Sequence, residues 1–453
     1  MTGVVDHLPA GPPGHIFVGN GRDYDRDRIG FLLRNQRRYG DVYSFSDTAI
    51  VVLDPQLIHQ LHTRTNAEFV TEASLFSDRK RTEWLMGTIT DTMSNRRAGW
   101  RGVSKTASAS RAPMLVSAFD TVMRDVPGHD VDVNNLMRTV AGYEFASFCF
   151  GGDGSDLTDV VAAVDDGVRA TLTLMNRSLR LPSWMPTPAI RRMRHSGAAL
   201  RRLVHQRVTD RLAHDTPPQP RDLLDTVLQP GTTDTHHIEV SLNLMLRASY
   251  SIPGAALTWA VRQLALQPQL TQRLRDEANA LHDPAAIDRP YAEAVVKEVL
   301  RMYPPSWFGG REVRHHTQLG EWKLQPGQQV MFSPYVVHRD PRWWDAPTQF
   351  RPQRWMTGQP PHARHAYFPF GAGPRICIGN QLGMLEQILT LSRLAQCYDI
   401  DVTNIDRAPM TARSILTPDG LRARFRRIAL KTSSEKAIAA DRDYGFHGVA
   451  SIR

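Results

Sequence analysis

The sequence predicts a mainly α-helical chain with a small β portion, folded as a single large domain. From Pro55 to about residue 300, apolar residues recur at helical spacing, and only short runs of proline and glycine interrupt them. Strand-forming residues are confined to short stretches, such as the two that flank Asp47-Thr48. We find no linker and no internal repeat, which favours one domain over several.

Local patterns place the elements outside the long helical region. A loop rich in proline and glycine precedes a predicted helix over Ile29–Arg38. Val42–Phe45 and Ile50–Leu53 read as the two strands of a β-hairpin, and Val330–Phe332 reads as a strand after a turn. We assign residues 1–431 to the domain, and residues 432–453 to a polar tail that lacks periodicity.

Composition excludes several classes of protein. The apolar content of 41% is ordinary for a globular chain and argues against disorder. Three cysteines, Cys149, Cys377 and Cys397, are too few for a disulfide framework and favour a reducing compartment. The amino-terminal segment contains Asp6 and His7 and no apolar run. We therefore expect no signal peptide, no membrane anchor and a cytoplasmic location.

The chain is basic, with a formal net charge of +9. A nucleic-acid partner would be conceivable on charge alone, but the arginines are scattered, and zinc spacing and helix-turn-helix cues are missing. The charge therefore indicates a solvated basic surface and no nucleic-acid partner. Docking of an acidic protein partner, which such charge would accelerate, stays open.

The segment Phe370–Gly379 is the most informative part of the chain. It places Cys377 in a glycine-rich loop, with Arg375 two residues before it and an apolar helical pattern over Leu382–Leu394 after it. Glycines allow close backbone approach, and nearby positive charge favours a thiolate. Phe370 can supply an apolar wall. This combination suits a thiolate that ligates a metal beneath a flat cofactor, as in cysteine-ligated haem.

A charged cluster precedes this loop. Glu298 and Arg301 share one face of a predicted helix over Tyr291–Met302, and Arg354 follows in the segment Phe350–Trp355. Alone, a pair at this spacing is most often a solvated helix pair. Its significance here comes from the order and spacing of the segments that follow it.

The chain resembles the cytochrome P-450 family of haem-thiolate oxygenases. Four segments match in order and spacing: Glu298-x-x-Arg301, His338-Arg339-Asp340-Pro341, Phe350–Trp355 and Phe370–Gly379. Weaker matches extend the resemblance over nearly the whole chain. It implies the cytochrome P-450 fold and the cofactor haem b (iron protoporphyrin IX).

The resemblance also implies roles for individual residues. Cys377 is expected to be the axial ligand of the haem iron, in the loop that includes Phe370 and Gly379. The haem propionates are expected to meet Trp100, Arg101, Arg311 and Arg375. A buried cluster of Glu298, Arg301 and Arg354 is expected to brace the cysteine loop, so that removing one member would be strongly destabilising.

The long helix above the haem departs from the family pattern. An acid followed by threonine usually stands there and relays protons to iron-bound dioxygen, whereas this chain has Ser251 and Ile252. Isoleucine has no hydrogen-bonding group, so the direct relay is missing. Pro253 has no N–H and leaves the carbonyl of Ser249 without its helical partner, which predicts a kink over the haem.

Two interpretations of this departure stay open. In one, Ser249 or Ser251 together with water still relays protons, and Pro253 merely fixes a bend. In the other, the reaction does not require delivery of protons to dioxygen.

The expected substrate is a small, mainly hydrophobic natural product. The resemblance places Met245, Trp307, Phe308 and Ser414 at the substrate pocket, and for each of them core packing is the alternative. Electrons are expected from a ferredoxin and its reductase, because no flavin or iron–sulfur segment is found, and we expect a monomer.

The leading hypothesis is an oxidoreductase that hydroxylates, cyclises or couples such a substrate with non-standard proton delivery. The alternative keeps the fold and the haem but changes the reaction. It would be a peroxide-driven oxidation, or a cyclisation, rearrangement, dehydration or group transfer on a substrate with its own activated N–O or O–O bond.

Overall fold

The computed structural model describes residues 8–14, 19–71, 102–154, 156–175, 187–214, 219–228, 235–281 and 283–428. The helices of these ranges are α1 Gly21–Arg26, α2 Arg28–Tyr39, α3 Pro55–Thr63, α4 Lys105–Ser110, α5 Ala112–Met123, α6 Val133–Phe150, α7 Thr158–Met175, α8 Pro188–Leu212, α9 Leu223–Val227, α10 His236–Leu266, α11 Pro268–Ala280, α12 Pro290–Met302, α13 Pro334–Val337 and α14 Asn380–Cys397. The strands are β1 Val42–Ser46, β2 Ala49–Val52, β3 Phe69–Val70, β4 Asp130–Asp132, β5 Gly309–Val313, β6 Thr317–Leu319, β7 Trp322–Leu324, β8 Gln329–Phe332, β9 Tyr398–Val402, β10 Met410–Ala412, β11 Leu416–Pro418 and β12 Arg422–Arg427.

These elements confirm a mainly helical fold with a small β portion. The predicted helices near the amino terminus, before Pro304 and after the cysteine loop are all present as α2, α12 and α14. The tail over residues 432–453 lies outside the described residues. Within the described ranges, no helix is both long and apolar enough to cross a membrane.

Short-range chemistry explains where several helices begin. The side chain of Asp54 accepts a hydrogen bond from the backbone N–H of Leu57, and Pro55 occupies the first turn of α3. Asp132 caps α6 in the same way, through the N–H of Asn135. These caps fix the starts of two helices that border the site described below.

The main sheet has the strand order β1-β2-β8-β5-β3. Strands β1 and β2 pair antiparallel with Val42 opposite Val52, so the predicted hairpin is confirmed. Strand β2 then pairs parallel to β8. Strand β8 contains Val330–Phe332, which the sequence predicted as a strand after a turn. A separate hairpin, β10 with β11, lies far along the chain and pairs Thr411 with Thr417.

Helix α10 runs through the centre of the helical part and packs most extensively on α6. Its buried residues change from Leu246 and Tyr250 in one apolar cluster to Leu257 and Val261 in another. Trp259 stacks on Tyr303 with ring centroids 4.1 Å apart. The helix therefore connects several parts of the hydrophobic core, which fixes its position.

The proline of this helix does not interrupt it. Helix α10 continues on both sides of Pro253, so the predicted kink is not a break in the helix. Gly254, the next residue, lies against α6, because a Cβ there would lie 2.7 Å from the Cα of Arg138. The absence of a side chain at this position therefore allows the two helices to pack closely there.

We expect the substitution Gly254→Ala to lower the free energy of unfolding by about 1–3 kcal/mol, because the added methyl would collide with the backbone of α6. Gly383→Ala is the matched control, since a Cβ at this helical glycine of α14 meets open space. The control should raise stability by up to about 1 kcal/mol. Urea unfolding of the two variants measures the difference, and equal effects would contradict the close contact.

Candidate active site

The cysteine loop is a tight, hydrogen-bonded turn in front of α14. The backbone N–H of Cys377 donates to the carbonyl of Phe370 at 2.9 Å, and that of Ile376 donates to Gly373 at 3.1 Å. Helix α14 begins at Asn380, three residues after the cysteine. The residue therefore sits close to a helix amino terminus, where negative charge is favoured.

Cys377 differs from the other two cysteines in its exposure. Cys149 and Cys397 are buried, whereas Cys377 is exposed. Burial raises the pKa of the Cys149 thiol well above its usual value and raises that of Cys397. Of the three, Cys377 alone is accessible to a ligand that approaches from outside the protein core.

Gly373 allows the cysteine loop to pack directly against the end of α3. Its φ is +67°, and a Cβ there would lie 2.3 Å from the carbonyl oxygen of His62. Gly371 also has a positive φ, +68°, but a Cβ there would meet nothing within 4 Å. Both positions favour glycine for their backbone angles, and only Gly373 also needs it for space.

Arg311 and Arg375 converge on two neighbouring residues after α3. The Nε of Arg311 donates to the hydroxyl of Thr65 at 3.2 Å, and the Nε of Arg375 donates to Oδ1 of Asn66 at 2.8 Å. The structure therefore brings together two of the four residues predicted to meet the haem propionates. The other two, Trp100 and Arg101, lie outside the described residues.

His62 joins this group, and sequence reasoning missed it. Its ring is 2% exposed, and burial, with a further contribution from Arg311, lowers its pKa to about 3. The imidazole is therefore neutral at physiological pH. No motif marks this position, because only the packing of α3 against the cysteine loop brings the residue to the site.

Glu298 forms the hydrogen-bonded centre of the charged cluster. Arg301 donates to both of its carboxylate oxygens, at 2.9 and 2.8 Å, and the Nε of Arg354 donates to one of them at 3.2 Å. Trp355 Nε1 and the backbone N–H of Arg351 add bonds of 2.9 and 2.8 Å. Glu298 and Arg301 are completely buried. Such a cluster is costly to break, because the remaining charges lose their partners.

His338 connects this cluster with the cysteine loop. Arg301 donates to the carbonyl of His338 at 2.9 Å, and the imidazole Nε2 accepts the backbone N–H of Phe368 at 3.1 Å. Burial lowers the pKa of His338 to about 3, so its ring is neutral and can accept this bond. The sequence singled out the segment that contains His338 but gave this residue no role.

Helix α10, called the distal helix below, is the long helix that was predicted to lie above the haem. Its residues around Ser251 lie on two different sides of the helix. Tyr250 and Gly254 face α6, while Ile252 lies on the opposite side, where it is 37% exposed. Met245 and Ser249 lie on that same side and are partly buried. Ser251 is buried, and its hydroxyl has no hydrogen-bond partner among the described residues.

Trp307 lies in the hydrophobic core, which is the alternative stated above for the predicted pocket residues. It is 2% exposed, it packs in the main core, and its Nε1 donates to the carbonyl of Arg413 at 2.7 Å. The indole thus supports the β10–β11 turn, and contact of Trp307 with a substrate stays a prediction. Phe308 is partly buried beside it, and Ser414 lies in the turn itself.

The residues present fit a large flat cofactor with a metal centre and acidic substituents. An accessible thiol lies in a loop that glycines hold close to α3. Two arginines and a buried neutral histidine lie together near the same helix, and they are suitable donors for carboxylates.

Comparison with known proteins is consistent with these features. The family model for cytochrome P450 matches residues 9–422, and the chain therefore belongs to the cytochrome P450 family. Members of this family bind haem b through a cysteine thiolate, and the family is one of oxidoreductase enzymes.

The relatives are distant. The chain is 33% identical to cyclooctatin synthase of Streptomyces melanosporofaciens over 47% of this chain and 49% of that one. It is 26% identical to cyclooctat-9-en-7-ol 5-monooxygenase of the same organism over 59% and 61% of the two chains. The match thus spans about half the length of the first of these relatives. The structure of retinoic acid-bound cyanobacterial CYP120A1 aligns with a TM-score of 0.77 and 20% identity, covering 94% of this chain and all of that one.

The charged cluster makes a direct prediction about stability. Glu298→Gln should lower the free energy of unfolding by about 3–5 kcal/mol, because two buried arginines would lose their counter-charge. Glu293→Gln is the control on the same helix, since Glu293 pairs with Lys297 at the surface and its loss should cost less than about 1 kcal/mol. Denaturant titration measures both, and a small effect at Glu298 would show that the cluster is not a brace.

The cysteine loop makes a second prediction. Gly373→Ala and Gly371→Ala impose a similar strain of about 1–2 kcal/mol at positive φ, but only the first forces the loop away from His62. We expect Gly373→Ala to purify with a much lower ratio of haem to protein than Gly371→Ala. Equal haem content in the two variants would mean that the contact with α3 does not position the loop.

Proposed function

We propose that this chain is a haem-thiolate oxidoreductase that tailors a small, mainly hydrophobic natural product by hydroxylation, oxidative cyclisation or coupling. The observation that carries this proposal is the accessible Cys377 in a glycine loop, framed by Arg311 and Arg375. The two Streptomyces relatives, one of them a monooxygenase by name, support the choice of natural-product tailoring.

Cys377 would hold the haem iron through its sulfur, with Phe370 and Gly379 at the ends of the loop. Arg311 and Arg375 would bind the propionates, and His62 would assist as a neutral donor. Trp100 and Arg101 would complete this set from outside the described residues. Bound in this way, haem supplies an iron whose thiolate ligand favours cleavage of an O–O bond.

Proton delivery would follow an unusual route in this enzyme. Ile252 lies on the side of α10 away from α6, and its side chain can neither donate nor accept a proton. Ser249 is the nearest hydroxyl on that side of the helix, while the hydroxyl of Ser251 is buried. Protons would therefore reach the reacting atoms through Ser249, ordered water or a polar group of the substrate.

The substrate would lie against the exposed side of α10 and the turn between β10 and β11. Met245, Ile252 and Phe308 offer apolar contacts there, and Ser414 offers a hydroxyl. Such a pocket suits a mainly hydrophobic body with few polar groups. The formal net charge of +9 is favourable for docking an acidic electron donor such as a ferredoxin.

One observation favours a second candidate function. The combination of Ile252 and Pro253 at the usual proton relay is what an enzyme without oxygen activation would tolerate. The alternative is a reaction on a substrate that carries its own activated N–O or O–O bond, or a peroxide-driven oxidation.

A divided turnover assay distinguishes the two functions. Candidate metabolites are first selected by shifts of the haem Soret band. One half of each sample then receives surrogate ferredoxin, reductase and air, and the other half is anaerobic without external reductant. Product only in the aerated half supports the proposed oxidoreductase, and product in the anaerobic half supports the alternative.

Restoring a hydroxyl on the distal helix tests proton delivery directly. Ile252→Thr should increase the share of electrons that end in product, up to about tenfold, because a positioned proton donor is worth about 100-fold or more in rate. Ile252→Val is the matched control, since valine has the shape of threonine without its hydroxyl. Equal coupling in the two variants would contradict a missing relay at this position.

A further inference from the structure

A polar cavity lies beside the distal helix, on a different side from Ile252. It has a volume of about 160 Å³ and opens between α6, α7, α10 and the β10–β11 hairpin. Its lining residues are mostly polar, and alternate residues of the hairpin face it, as expected for one side of a strand pair. The lining consists of Asn134, Arg138, Leu172, Ser251, Thr411, Arg413, Ile415, Thr417 and Asp419.

Arg138 is the unusual member of this lining. It is 8% exposed, its Nε has no hydrogen-bond partner, and its Nη2 contacts the amide oxygen of Asn135. Among the described residues, no carboxylate forms an ion pair with it. Two carboxylates, Asp165 and Asp132, are near enough to act on it electrostatically, but both have other partners. Asp165 accepts from Tyr250 at 2.8 Å and from Arg169 at 2.6 Å, and Asp132 accepts from the N–H of Asn135 at 2.8 Å.

The other buried arginines of the described chain make more side-chain hydrogen bonds than Arg138, although Arg111 and Arg289 each also keep one nitrogen without a partner. Arg211, Arg301 and Arg354 pair with carboxylates. Arg111 and Arg289 donate to backbone carbonyls, Arg111 at 2.9 Å to Asp222 and Arg289 at 2.8 Å to Pro284. Arg138 makes a single side-chain hydrogen bond, to an amide oxygen, and a buried guanidinium with so few partners is costly. This favours an anion in the cavity as its missing partner.

Two more groups of the cavity suit an anion. The hydroxyl of Ser251 is buried without a partner and can donate a hydrogen bond. Arg413 is exposed and makes no side-chain hydrogen bond or ion pair with the described residues. Asp419, also exposed, opposes them at the rim. Among the lining residues, two guanidinium groups therefore stand against one carboxylate, which favours a negatively charged ligand.

We propose that this cavity binds a carboxylate, held by Arg138 and Ser251 and approached past Arg413. The planar guanidinium matches a carboxylate, and Leu172 and Ile415 offer apolar contact to the carbons next to it. If the carboxylate belongs to the substrate, this proposal rests on the proposed function and adds an acid group to the expected substrate. Ser251 adjoins Ile252, so a substrate body on the distal side could place its acid group here.

The test compares hexanoate with hexan-1-ol on the haem-loaded protein. We expect hexanoate to raise the melting temperature in a saturable way and hexanol at equal concentration to have no such effect. A carboxylate that belongs to the substrate site should also shift the Soret band, whereas a separate small acid should bind without that shift. Either pattern supports the carboxylate site, and equal binding of acid and alcohol overturns it.

Variants of the two arginines identify the residue responsible. Arg138→Met should weaken hexanoate binding at least about tenfold, because it removes a charge-assisted hydrogen bond. It should also melt at a higher temperature than the ligand-free wild type, since the unpaired buried charge is gone. Arg262→Met is the control, because Arg262 also has a buried Nε without a partner but does not line this cavity.

If Arg138→Met fails to fold, variants of Ser251 and Arg413 still test hexanoate binding at this cavity. Ser251→Ala and Arg413→Gln should each weaken hexanoate binding several-fold, while Ser392→Ala, at another buried unpaired hydroxyl, should not. Unchanged binding in both variants, or in Arg138→Met, overturns the proposal. Carboxylate binding without any redox turnover would instead remove the proposed function and leave the site in place.

Discussion

The carboxylate of Glu298 connects α12 with the segments that lead to the cysteine loop. It accepts hydrogen bonds from two buried arginines, a tryptophan and a backbone amide, so it ties α12 to the segment around Arg354. Through Arg301 and His338 the same network reaches the backbone of Phe368, directly before the cysteine loop. The position of Cys377 is thus set by buried charge as well as by the contact of Gly373 with α3. This dual support would suit the proposed role of Cys377 as a metal ligand, because residues on loops are otherwise mobile.

The distal helix, in contrast, is held mainly by close packing. At the position of the usual proton relay it carries an apolar side chain. Gly254 brings α10 against α6, and Thr258 donates to the carbonyl of Gly254 at 2.7 Å. The side away from α6 carries Ile252, without a proton to give. The polar groups of this region lie instead around Ser251 and Arg138, in a cavity on another side of the helix. The chemistry of the site therefore depends on what occupies the spaces on either side of α10.

Much of the fold could be predicted from sequence because its signals are local. Apolar spacing predicts α12 and α14, Pro304 marks the end of α12, and two runs of strand-forming residues around a turn predict the first hairpin. The cluster around Glu298 was recognisable from spacing within one helix and a resemblance beyond it. His62 and His338 were missed, since their roles arise from contacts between distant segments. For Trp307 the sequence left two alternatives open, because aromatic character alone does not distinguish a core residue from a pocket wall.

The reduced, carbon monoxide-bound absorption spectrum tests the assignment of Cys377 most directly. We predict that the wild type shows the long-wavelength Soret band of thiolate-ligated haem. Cys149→Ala and Cys397→Ala, at the two buried cysteines, should keep this band. Cys377→Ala should lose it while its far-ultraviolet circular dichroism stays that of a folded helical protein. A Cys377→Ala variant that retains the band, or a wild type that lacks it, would contradict haem ligation by this loop.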